Sequence, residues 1–124
     1  MIDLFVYGTL KRQASHHHLL HGEFLGEVQT QPVYRLYDCG RYPGMVEVGT
    51  HGVAVHGELW RVSDEVLAVL DEYEGELFER RQIRLMNGRM VWAYLYRGMV
   101  ETLSDCGTVW HEGESSGFSS ASSN

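Results

Sequence analysis

Tyr7-Gly8-Thr9-Leu10 follows the strand-like run Ile2-Asp3-Leu4-Phe5-Val6 and forms a small turn with glycine in it. Glycine lets the backbone approach a ligand, and successive N–H groups in such a turn can converge on a carboxylate or a developing oxyanion. The second candidate is an acid. Leu70 to Glu76 carries the carboxylates Asp71, Glu72, Glu74 and Glu76, and solvated helix ends routinely hold such clusters. Helical spacing separates them. Glu74 stands at i+4 from Leu70 and i+7 from Leu67, so it continues an apolar stripe; Asp71 shares that neighbourhood less fully, and Glu72 and Glu76 point elsewhere. A carboxylate at the end of such a stripe loses hydration, which raises its pKa toward the range useful for proton transfer. Tyr73 can instead complete the stripe and leave Glu74 at its edge, so spacing alone makes Glu74 a candidate.

Other reactive side chains carry less. His16-His17-His18 with His21 invites a metal reading, but consecutive histidines on a flexible segment converge poorly on one ion. No Cys or acid is spaced to complete a site, so no metal is expected. Cys39 and Cys106 are far apart in sequence and form no Cys-x-x-Cys pair. Free thiols in a reducing cytoplasm are the simplest reading, and no histidine is placed beside Cys39 to make it a nucleophile.

These groups need elements to hold them. Ile2 to Tyr7 alternates Ile2/Leu4/Val6 against Asp3/Phe5/Tyr7, which suits a strand with partners on both faces. Lys11 to His21 is polar and irregular, with one helical turn around Ser15 to Leu20. Glu23 to Thr30 and Val33 to Tyr37 read as strands flanking Pro32, Cys39 to Gly44 as a loop, and Val53 to Val62 as a long strand. Ser63 is an N-cap, Asp64 and Glu65 complement the positive helix end, and Gly75 is a natural stop. Asn87-Gly88 has the preference of a two-residue hairpin turn. That turn would pair Met86 with Arg89, Ile83 with Trp92 and Arg81 with Tyr94, and would put Ile83, Leu85, Met90, Trp92 and Tyr94 on the core face. Five to seven mostly antiparallel strands with one main helix predict an α+β fold, a small mixed twisted β-barrel.

The chain of 124 residues reads as one domain over 1–112 with a disordered Ser/Gly-rich tail over 113–124. Lys and Arg number 10 against 17 Asp and Glu, a net charge of −7, which argues against nucleic acid or an anionic membrane as partner. No apolar run approaches the roughly 18 residues of a membrane span, and no basic-then-apolar leader opens the chain. A cytoplasmic monomer is the expectation.

Tyr7-Gly8-Thr9-Leu10, Tyr42-Pro43-Gly44-Met45, Gly57-Glu58-Leu59-Trp60 and Leu70-Asp71-Glu72-Tyr73-Glu74-Gly75, in that order, resemble the γ-glutamylcyclotransferase-like (AIG2-like) family, in particular its small bacterial branch, from about residue 2 to residue 98. The resemblance implies a compact barrel with helices outside, and cyclisation of a γ-glutamyl amide to 5-oxoproline (pyroglutamate) with release of an amine or amino acid. It makes Glu74 the catalytic acid/base, since only Glu74 matches the glutamate of the family's Leu-Asp-x-x-Glu-Gly segment. It gives the Tyr7-Gly8-Thr9-Leu10 turn the substrate and the oxyanion, and implies no metal or cofactor. Tyr42-Pro43-Gly44 then reads as a loop over the pocket or as a plain turn. Arg80, in the family's aromatic-x-Arg pattern, reads as a substrate contact or as an ion-pair partner of a nearby acid. Tyr96 offers a phenol to substrate or belongs to the core. Glu76-Leu77 makes a shorter link before Phe78 than many active relatives have, which bears on the leaving-group side. The alternative, from another class, is a non-catalytic module that keeps the fold to bind a small acid or a protein terminus.

Overall fold

A computed structural model describes residues 1–112; the tail expected over 113–124 lies outside the described residues. Within them, eight strands and one α-helix follow in the order β1 (Ile2–Val6), β2 (Gly22–Gln29), β3 (Tyr34–Asp38), β4 (Pro43–Glu47), β5 (His56–Val62), α1 (Asp64–Glu74), β6 (Phe78–Arg84), β7 (Met90–Tyr96) and β8 (Asp105–Gly107). A 3₁₀ turn at His17–Leu19 supplies the helical turn expected there.

The five-stranded sheet has the order β2-β5-β1-β7-β6, and a smaller sheet runs β4-β3-β8. Every strand pair is antiparallel except β1 with β7. The fold is α+β as expected, but the barrel is not closed: the outer edges of the large sheet touch only where Thr30 bridges Leu85. Two further expectations need correcting. The loop placed over Cys39 to Gly44 ends early, because Pro43 and Gly44 already pair with Asp38 and Tyr37. The long strand from Val53 begins only at His56, after Val53 makes one isolated bridge to Tyr34.

The hairpin is shifted by one residue. Leu85 N–H donates to the Arg89 carbonyl at 2.8 Å and Gly88 N–H to that of Leu85 at 2.9 Å, so Met86, Asn87 and Gly88 form a three-residue loop. Gly88 at φ 89° takes the left-handed position that such loops require. Ile83 therefore faces Val91 rather than Trp92, and Arg80 rather than Arg81 faces Tyr94. A one-residue slip moves every side chain to the other face. The face bearing Ile83 and Leu85 carries Val91 and Ala93, while Met90 is exposed and Trp92 and Tyr94 turn the other way.

That other face is buried too, under α1. β1 separates the two cores: Phe5 and Tyr7 pack with Leu36, Met45, Leu59 and Trp110, and Leu4 and Val6 pack with Trp60, Val62 and the helix. The helix keeps its expected limits. Ser63 Oγ accepts from Val66 N–H at 3.2 Å, and Gly75 stops it at φ 74°. Leu67 and Leu70 are buried, and the same face carries Tyr73 and Glu74 out to the carboxyl end of β1.

Candidate active site

A cavity of about 270 Å³ opens where the end of β1, the end of α1 and the start of β4 meet. The whole Tyr7-Gly8-Thr9-Leu10 turn lines it, together with Tyr42 and Glu74. Of the acids in the Leu70–Glu76 segment, only Glu74 reaches it.

The turn is held by its carbonyls. Gly8 C=O accepts from Lys11 N–H at 3.1 Å and Thr9 C=O from His16 N–H at 3.0 Å, while His17 Nδ1 donates to Leu10 C=O at 2.8 Å. In a trans, planar peptide the N–H points opposite to the carbonyl it is joined to. The N–H groups of Thr9 and Leu10 therefore point away from the 11–17 segment, and neither they nor Gly8 N–H meet an acceptor among the described residues. Gly8, Thr9 and Leu10 line the cavity, and their unsatisfied N–H groups are donors available to a carboxylate or an oxyanion. Gly8 cannot carry a side chain, because a Cβ would stand 2.7 Å from Pro43 Cδ.

Glu74 has no hydrogen-bond or ion-pair partner among the described residues, and burial pushes its carboxyl up to about 7. Its neighbours are spoken for. Tyr73 shares a hydrogen bond of 2.8 Å with the Thr9 hydroxyl, which ties the helix end to the turn, and its ring packs on His16 at 4.9 Å. Asp71 receives Arg80 Nε at 3.1 Å, Arg80 Nη2 at 3.2 Å and the Tyr94 hydroxyl at 2.6 Å, so Arg80 is the ion-pair partner of a nearby acid.

The remaining expected site residues divide. Tyr7 lines the cavity with its ring, but its hydroxyl donates to Tyr94 C=O at 2.6 Å and accepts from Met45 N–H at 3.1 Å; burial, then the nearby Glu74 carboxylate, pushes that phenol well up. Tyr42 lines the mouth and packs against Phe78 at 5.7 Å. Tyr96 is not on the cavity wall: its ring lies under Gly44 and 5.5 Å from Phe78, so it braces the Tyr42-Pro43-Gly44 segment from behind. Sequence reasoning named Pro43 within the loop over the pocket and Tyr73 as a possible end of the helical stripe, but missed Phe78 and Tyr94 as wall residues. Nothing local signals Phe78 and Tyr94 as wall residues; they arrive there by tertiary packing. The histidine run also finds its place, since His16 and His17 hold the turn's carbonyls and His16 packs on the Tyr73 ring. Among the described residues no group of three or more His, Cys, Asp or Glu is placed to hold a metal ion.

Residues 4–113 match the family described as gamma-glutamyl cyclotransferase, AIG2-like. A Vibrio cholerae protein whose name provisionally makes it a gamma-glutamylcyclotransferase is 41% identical over 96 residues, which cover 76% of this chain and 81% of that one. A Danio rerio protein named gamma-glutamylaminecyclotransferase A is 34% identical over 109 residues, covering 77% and 68%. The crystal structure of a uropathogenic E. coli-specific protein superposes with a TM-score of 0.79 at 28% identity, covering 85% of this chain and 87% of that one.

Proposed function

Since the chain belongs to the gamma-glutamyl cyclotransferase, AIG2-like family, we propose that it cyclises a γ-glutamyl amide to 5-oxoproline and releases an amine or amino acid. The substrate's α-amine nitrogen attacks its own γ-carbonyl carbon, and the carbonyl electron pair moves to oxygen, next to the N–H groups of Gly8, Thr9 and Leu10. Glu74 takes the proton from the attacking nitrogen and returns one to the leaving nitrogen as the original C–N bond breaks. The nucleophile is tethered to its target, so positioning supplies much of the acceleration and one carboxyl group suffices for proton transfer.

The observation that carries this reading is Glu74, a buried carboxyl without a protein partner among the described residues, poised at about 7 on the same cavity wall as three unsatisfied N–H donors. A group with that pKa accepts and returns a proton near neutrality, whereas Asp71 is occupied by Arg80 and Tyr94. The test is release of 5-oxoproline from a panel of γ-glutamyl amides: dipeptides, glutathione and γ-glutamylamines. Release by the wild type and not by Glu74→Gln is the expected result, and the substrate that works names the leaving group. Release that persists in Glu74→Gln would remove Glu74 from the mechanism.

A further inference from the structure

Glu58 is 8% exposed, yet it lines no part of the reaction cavity. It faces a second cavity of about 460 Å³ shared with Lys11, Arg12 and His56. Oε1 accepts from the backbone N–H of Arg12 at 3.0 Å and from Trp60 Nε1 at 3.1 Å, and Oε2 accepts from Arg12 Nε at 3.2 Å. The backbone of the same residue pairs with Val6 across the β1–β5 ladder. Val6 and Arg12 bracket the donor turn, so one residue of β5 holds the chain on both sides of it: by its backbone where β1 ends, by its carboxylate where the turn is over.

We propose that Glu58 is the positioning residue of the cyclisation site, closing the Val6-to-Arg12 loop so that the turn keeps the N–H groups of Thr9 and Leu10 pointing away from the 11–17 segment and leaves that of Gly8 without an acceptor among the described residues. It touches neither substrate nor Glu74. Its effect is geometric, because rotating any peptide of the turn would remove a donor from the place where negative charge develops. A carboxylate suits this role, since it offers Oε1 to two neutral donors and Oε2 to a guanidinium, and all its partners pull it into one orientation. Arg12 is further steadied by Glu27 at 3.1 Å and by the Phe24 ring at 3.8 Å, which leaves its backbone N–H as the part that serves the turn.

The role rests on the proposed cyclisation, and the test separates the two. Glu58→Asp keeps the charge but is one methylene short of Arg12 N–H; Glu58→Gln keeps an Oε1 for Arg12 N–H and Trp60 Nε1 and lets the exposed Arg12 head swing toward Glu27. Two readouts are taken: the amide NMR shifts and hydrogen-exchange rates of Gly8, Thr9 and Leu10, and 5-oxoproline release. Glu58→Asp is expected to move those three amides and to lower kcat about ten- to a hundredfold with a smaller change in KM, less than the roughly hundred- to thousandfold cost of losing an oxyanion donor outright. Glu58→Gln is expected to restore both readouts most of the way. A folded Glu58→Asp with unmoved amides and wild-type kcat would overturn the proposal, as would a Glu58→Gln no better than Glu58→Asp, since restoring the bond to Arg12 N–H would then restore nothing. If the wild type turns over nothing in the panel, the cyclisation reading fails, and the amide readout still decides whether Glu58 holds the turn.

Discussion

Glu74 sets the behaviour of the site at the scale of single residues, because it is buried without a partner among the described residues. Its carboxyl rises from 4.5 to about 7 on folding, so between those values the native state binds more protons than the unfolded chain and stability falls as pH rises. The penalty is absent below the unfolded value and fully present above the folded one. Glu74→Gln should therefore stabilise the protein at pH 8 by about 2–3 kcal/mol and hardly at all at pH 4, measured by urea denaturation at both. The same group predicts a kcat/KM that climbs through about pH 7 in the wild type, and a loss of about a hundredfold or more in the Gln variant. Tyr73→Phe cuts the side-chain bond that ties the turn to the helix end and should lower kcat while costing about 1 kcal/mol of stability in a melting experiment. The place of Glu74 on the cavity wall was legible because helical spacing made it a candidate beside Tyr73 and the resemblance singled it out. Tyr96 was not: an aromatic near the mouth can face the substrate or brace the loop, and only the packing of Gly44 over its ring decides.

Strand register is where local sequence misleads. Asn87-Gly88 favours a two-residue turn, but adding Met86 to the loop lets Ile83 and Leu85 share a face with Val91 and Ala93, and this choice exposes Met90. Burial of a whole face outweighs the preference of one dipeptide. The two registers separate experimentally. Leu85→Ala should cost about 2–5 kcal/mol as a cavity in the core, and Met90→Ala less than about 0.5 kcal/mol as a surface change; under the two-residue turn the two costs would be similar. The helix was readable to its ends because an N-cap serine and a stop glycine are local signals. β4 and β8 were not, since each is a short strand whose partner β3 is distant or separated by loop. The pairing of β1 with β7, the parallel one in the large sheet, joins segments too far apart for any local pattern to announce.

Across the whole molecule, the two apolar cores are not separate folding units, because β1, β5 and β7 each contribute alternate residues to both. Leu36→Ala in one core and Leu70→Ala in the other should lower the melting temperature while far- and near-ultraviolet circular dichroism still report a single coincident transition. Two transitions would mean that the small sheet can come away by itself. The Tyr7 phenol bears on how such a molecule breathes. One oxygen takes the Met45 N–H from the small sheet and gives its proton to the Tyr94 carbonyl of the large one. Beside this rivet Tyr42 and Pro43 line the cavity, Tyr42 half-buried and Pro43 buried. Met45 is thereby pinned to both sheets, whereas Tyr42, just before β4, is only half-buried. In hydrogen exchange the amide of Met45 should be among the slowest in the protein and that of Tyr42 among the fast ones. Tyr7→Phe should speed the exchange of the Met45 amide and narrow that contrast, because the bond that pins it to the large sheet is gone.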